Sequence, residues 1–244
     1  MSCKEDLTLL YEQFAPLTAA QGDMRIYAPI AYPKVRLAQF VPIVHIECFA
    51  LAAWFPICWK ANERRPTLIV LRTLREDGSG QPVGSPGVAV SLPLALRAYP
   101  FVVNADRQGS ALIEDATPDN PTDIGATILK PDGKPGRGTE MRLRAAEGFR
   151  QALPLTEEMT DALFSEDLLE PWRLNFDNEG RMIAVENMLI VRQNELRSAK
   201  IFQFIQKFGA LGAAFLGAHR ISLFRAGTLL HAAKSTPSPP TRSG

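Results

Sequence analysis

The chain has 244 residues, 46% of them hydrophobic and 22% charged, enough to bury a sizeable core and unlike a disordered composition. Its 27 Lys and Arg against 26 Asp and Glu give a formal net charge of +1, without the basic surplus that displaces counterions, so nucleic acid is not an expected partner. The three cysteines, Cys3, Cys48 and Cys58, form no CxxC pair, and the last two sit in apolar runs where reduced cysteine packs as a small hydrophobe.

Residues 1–38 read as an irregular lead-in, with a short helix over Lys4–Phe14 and turn signals at Tyr27-Ala28-Pro29 and Tyr32-Pro33. Glu5 and Asp6 lie where a signal peptide needs a basic and then an apolar stretch, which gives a cytoplasmic expectation; secretion without a cleaved signal fits the same residues. Strand-like runs follow at Gln39–Cys48, Trp54–Lys60 and Pro66–Leu74. Leu92–Ala98 reads as a short helix with Pro93 in its first turn. Tyr99–Asn104 and Ala111–Asp115 form the arms of a hairpin, and the Pro- and Gly-rich stretch 116–138 is loop. Apolar positions 141, 145, 149 and 152 predict a helix over Glu140–Leu153 that Pro154 stops. Thr156 then caps a second helix reaching about Leu168. Trp172–Asp177 and Arg181–Val191 predict a hairpin that rejoins the sheet, and Asn194 caps a helical region to about Leu230, bent near Gly209 and Gly212. The Pro/Ser tail 232–244 cannot pack. The expected architecture is a single α+β domain over 39–231, a mostly antiparallel sheet covered by a C-terminal helical layer.

An ordered set of short segments resembles the SapC family of bacterial proteins. It comprises Phe40-Val41-Pro42-Ile43-Val44 with Glu47, Phe55-Pro56-Ile57-Cys58-Trp59, Leu92-Pro93, Arg97-Ala98-Tyr99-Pro100-Phe101 and Ile113-Glu114-Asp115. Pro131-Asp132-Gly133-Lys134-Pro135, Leu168-Leu169-Glu170-Pro171-Trp172, Asn194-Glu195-Leu196 and Ala218-His219-Arg220-Ile221-Ser222-Leu223 complete it. The resemblance covers roughly 35 to 230 and implies association with a bacterial surface layer, the source of the family's name. It supplies no catalytic residues. The chain departs from the family pattern at Pro86-Gly87-Val88-Ala89-Val90, where a Trp-containing segment is usual, and at Asn187-Met188-Leu189-Ile190-Val191, where a Gly-Leu-Tyr-like strand is usual.

Among constellations with chemical content, His45-Ile46-Glu47 on a strand would project His45 and Glu47 from one face. With His219 or His231 they would make the two-His, one-carboxylate set that holds non-haem Fe(II). The bland alternative, a buried histidine bonded to Glu47 or backbone, is preferred. His219 and Ser222 share a helix face, but no Gly-x-Ser-x-Gly elbow or orienting acid accompanies them. Glu114, Asp115, Asp119 and Asp123 lack the order of a calcium loop, and Asp132–Gly138 lacks that of a phosphate cradle. The apolar run Phe208–Ala218 is shorter than a membrane span and leaves membrane-surface contact open without requiring it. The surrounding helix is apolar on most sides, with Phe204, Phe208 and Phe215 as the residues of an interaction surface if it is not all core. The expected function is that of a non-enzymatic accessory or binding protein without a cofactor, acting through protein contacts or a small apolar pocket, with another protein or a second copy as its partner. A metal-dependent oxygenase using His45, Glu47 and His219 is the alternative.

Overall fold

The computed structural model describes residues 10–11, 14–17, 24–63, 65–82, 92–103, 111–114, 116–119, 124–178 and 181–235. The strands in chain order are β1 (Phe14–Pro16), β2 (Arg25–Ile26), β3 (Phe40–Pro42), β4 (Ile57–Lys60), β5 (Thr67–Leu71), β6 (Phe101–Val103), β7 (Ala111–Glu114), β8 (Ala126–Thr127), β9 (Leu169–Pro171), β10 (Leu174–Asn178), β11 (Arg181–Val185) and β12 (Met188–Val191). The α-helices are α1 (Pro33–Leu37), α2 (Cys48–Ala52), α3 (Leu94–Ala98), α4 (Arg137–Ser165), α5 (Ala199–Ser222) and α6 (Ala226–Ser235).

A five-stranded antiparallel sheet, ordered β3-β5-β4-β12-β9, forms the centre of this α+β fold. Side chains alternate across a strand, and here both faces are covered. Ile57 and Trp59 of β4, Leu68 and Val70 of β5 and Val191 of β12 face a core shared with Phe149 and Leu163 of α4 and with Phe204 and Phe215 of α5. Their neighbours Cys58, Ile69, Leu71 and Met188 face the other way, onto Leu229 and Ala233 of α6 and Phe176 and Val185 of the β10–β11 hairpin. Double coverage explains why β5 is an unbroken buried Thr-Leu-Ile-Val-Leu run instead of an alternating one. A second sheet, β1-β7-β6, contains the predicted hairpin, with Phe101 opposite Ile113.

Several sequence expectations are corrected. Pro154 does not stop a helix: α4 runs through it. Buried Ala145, Phe149, Ala152, Thr156, Met159 and Leu163 keep one helical stripe continuous across the proline, which lies on the solvent side, where the carbonyl left by its missing N–H can be hydrated. Thr156 is therefore an interior residue and not a cap. The long strand expected over 181–191 breaks at Asn187, whose φ is 60°; its second part, β12, joins the main sheet while β10 and β11 pair only with each other. Ser198, not Asn194, caps α5, accepting the Ile201 N–H. The predicted bend is at Gly209, with φ 61° and ψ −145°, a conformation open to glycine alone.

The lead-in is ordered over 24–38: β2 pairs with β8, and Tyr32 and Val35 of the 29–37 segment are core residues. The expected Lys4–Phe14 helix falls mostly outside the described residues, with Phe14 itself in β1. The tail expected over 232–244 is corrected at its start: residues 232–235 complete α6, where Ala233 packs in the core beside Leu229, and the rest lies outside the described residues. Cys48 opens α2 and Cys58 lies in β4; both thiols are free and buried.

Candidate functional site

Val44 is extended, but residues 45–47 then form a single 3₁₀ turn leading into α2, so His45 and Glu47 do not share a strand face. One oxygen serves His45 twice: Thr156 Oγ1 accepts the His45 N–H at 3.0 Å and lies 2.9 Å from its Nδ1. The Thr156 hydroxyl in turn donates to the Ala152 carbonyl at 2.9 Å. Glu47 turns toward backbone, its Oε2 accepting the Val44 N–H at 3.0 Å and its Oε1 the Leu94 N–H at 2.6 Å. This carboxyl ties the 44–47 turn to the start of α3. Burial pushes its pKa up to about 7, against the pull of both N–H donors and of Arg97. Burial also lowers the pKa of His45.

His219 does different work. The register of β4 and β12 pairs Met188 with Lys60 and Leu189 with Trp59, so two steps further Val191 would face Ile57. The strands part there, and the imidazole fills the gap: Nδ1–H donates to the Ile57 carbonyl at 2.8 Å and Nε2 accepts the Val191 N–H at 3.2 Å. Ser222, one turn on, accepts the Ile57 N–H at 2.8 Å and donates to the His219 carbonyl at 2.6 Å. Two side chains of α5 thus replace a rung of the ladder. Burial is the main cause that takes the His219 pKa down to about 4, which keeps the ring neutral and its Nε2 an acceptor.

The metal set of His45, Glu47 and His219 is therefore not assembled. Both His219 nitrogens and both Glu47 oxygens are engaged by backbone, and among the described residues no three His, Cys, Asp or Glu side chains gather in a way that could hold an ion. His231 is exposed on α6. Ser222 and His219 are not a nucleophile pair either, since the hydroxyl meets the His219 carbonyl and not its ring. Glu114 is buried and pairs with Lys34 at 2.5 Å, while Asp119 pairs with Arg36, so these acids serve different contacts; Asp115 and Asp123 lie outside the described residues. Asp132–Gly133 belongs to an exposed turn closed by the Lys134 carbonyl accepting from Lys130. A cleft beside Arg65, Phe149, Thr156 and Thr160 has a volume of about 20 Å³, room for one water and not for an organic substrate.

The less settled surface is on the C-terminal helices. Phe204 and Phe215 are core residues, and Phe208 is half-buried against them, so they do not form the expected interaction surface. The opposite side of α5 is the exposed one. Between Lys207 and Arg220 the helix carries no charged residue. At a 3.6-residue repeat, Ala210, Ala213, Ala214, Gly217 and Ile221 form the stripe facing away from buried Gly212, Phe215, Leu216 and His219. Phe224, in the 3₁₀ turn that follows, extends it. Ile221 is 65% exposed and Phe224 86%, where a solvent face ordinarily carries charge. Phe202 at the start of α5 is 65% exposed, and Phe49 of α2, which packs on α5, is 68% exposed. The absence of charge over twelve helical residues was the sequence signal for this face, but periodicity alone could not say which side the sheet covers.

The sequence model of the SapC family matches residues 20–227. The chain belongs to the SapC family. The matched stretch takes in the 44–47 turn, the whole central sheet and α5 with its His219 bridge. No curated protein matches the chain, and no solved structure does.

The helical stretch Ala199–Ser235 is also, by length and composition, of the kind that can cross a membrane, with a mean hydropathy of 1.3 over its most apolar window, a third of which is buried. The hydrogen bonds of His219 and Ser222 to β4 and β12 hold it against the sheet.

Proposed function

We propose that this SapC-family chain is a non-enzymatic accessory or binding protein that works through the uncharged face of α5. The observation that carries the reading is the exposure of Ile221 and Phe224 beside a charge-free stripe on a helix whose other side is fully committed to the core. The engagement of Glu47, His219 and Ser222 by backbone supports it too, since the polar atoms of these side chains hold the fold together. Burying two large apolar side chains of this kind supplies roughly 1.5–3 kcal/mol each, enough to make the face a centre of affinity.

Site-specific photo-crosslinking in cells tests the reading. A benzophenone side chain at Ala214, Gly217 or Phe224 is expected to give adducts that the same group at exposed Lys130 or Arg144 does not. Equal labelling at all five positions, or none, would overturn it.

A further inference from the structure

We infer that the uncharged face of α5 seats on an anionic lipid surface; the inference rests on the binding role proposed above and specifies the partner. The charge distribution carries it. Residues 199–235 hold five cations, Lys200, Lys207, Arg220, Arg225 and Lys234, and no Asp or Glu, which leaves the rest of the chain net negative by four. A protein of near-zero net charge is thus polarised, with its positive pole on the helices that also expose Phe202, Ile221 and Phe224. Lys200 meets Glu166, just past the end of α4, and Lys207 meets Glu158 of α4, whereas Arg220, Arg225 and Lys234 have no acidic partner among the described residues.

Apolar side chains on the exposed face with cations along its flanks are the pattern of a helix that lies in the plane of a bilayer, its apolar residues among the acyl chains and its cations at anionic headgroups. The face offers no hydrogen-bonding side chain between Phe208 and Ala218 through which a folded partner could be read. A second copy is disfavoured, since symmetric pairing of two such faces sets Arg220, Arg225 and Lys234 of one copy against the same cations of the other. Insertion across the bilayer is disfavoured by the two side chains that bridge α5 to the sheet.

Co-sedimentation of the full chain with vesicles tests this. Binding is expected to vesicles containing phosphatidylglycerol, not to phosphatidylcholine alone, and to weaken as salt rises. The double variant Ile221→Ser with Phe224→Ser should lose at least about tenfold in affinity while keeping the wild-type melting midpoint, since both side chains are exposed. Arg220→Glu with Arg225→Glu should also lose binding, through charge. No binding to either vesicle overturns the inference, as does equal binding to both or anionic binding that the Ser variant leaves unchanged. A dimer in sedimentation that the Ser variant dissolves would assign the face to a second copy instead. Protein adducts in the crosslinking experiment without vesicle binding would retain the binding role and reject the lipid.

Discussion

Replacing His219 by Phe keeps a ring of similar size beside Trp59, whose centroid lies 5.0 Å from that of the imidazole, but removes the bridge. The Ile57 carbonyl loses its donor and the Val191 N–H its acceptor, both in a site with no exposure. A buried polar group stranded in this way costs about 1–3 kcal/mol, so the variant should lose about 2–6 kcal/mol, a large part of the stability of an ordinary domain. Urea unfolding followed by tryptophan fluorescence reads this as a lower midpoint at unchanged slope. The pH dependence adds a sign. His219 titrates at about 4 in the folded chain against 6.5 when unfolded, so between those values the unfolded chain binds the extra proton, and stability falls as pH drops from 6.5 to 4. Glu47 acts the other way: its pKa of about 7 against 4.5 makes the folded chain bind the proton, and stability falls as pH rises from 4.5 to 7. Each shift corresponds to about 3 kcal/mol at full effect. In the wild type the two slopes oppose each other between pH 4.5 and 6.5. His219→Phe should remove the His219 slope, so that as pH falls through that window the variant gains stability relative to the wild type. A loss below about 0.5 kcal/mol together with an unchanged pH profile would refute the bridge.

Glu47→Gln should leave one of the two N–H groups of Val44 and Leu94 facing an amide donor and cost about 1–3 kcal/mol at pH 5 in urea titration, while removing the loss of stability between pH 4.5 and 7. Gly209→Ala meets open space but an unfavourable φ of 61° with ψ −145°, so thermal melting should show a loss of about 1–3 kcal/mol; an unchanged midpoint would mean that the bend is not held by the fold. Pro154→Ala returns an N–H to a helix that is already continuous and should raise the denaturation midpoint, by at most about 3 kcal/mol. A lowered midpoint would mean that the proline rigidifies the turn instead of straining it.

The sequence by itself determined the class of the fold and most of its strands. Pro66–Leu74 reads as a strand, Tyr99–Asp115 as a hairpin, and the glycine at 209 announces the bend in α5. Such signals are local, written in periodicity and turn chemistry within a dozen residues. What the tertiary structure alone decided is where one residue's preference yields to distant packing. Pro154 is a strong stop in isolation, yet the stripe from Ala145 to Leu163 gains more by staying in the core than the proline costs. His45-x-Glu47 has the spacing of a ligand pair, but a 3₁₀ turn sends one side chain to Thr156 and the other to Leu94, 111 and 47 residues away. His219 finds its partners in strands 162 and 28 residues distant, at a gap that arises only when β4 and β12 diverge. Which side of α5 meets the sheet follows from those same contacts, and with it the side left facing outward, because a helix apolar nearly all round carries no sequence mark of its covered face.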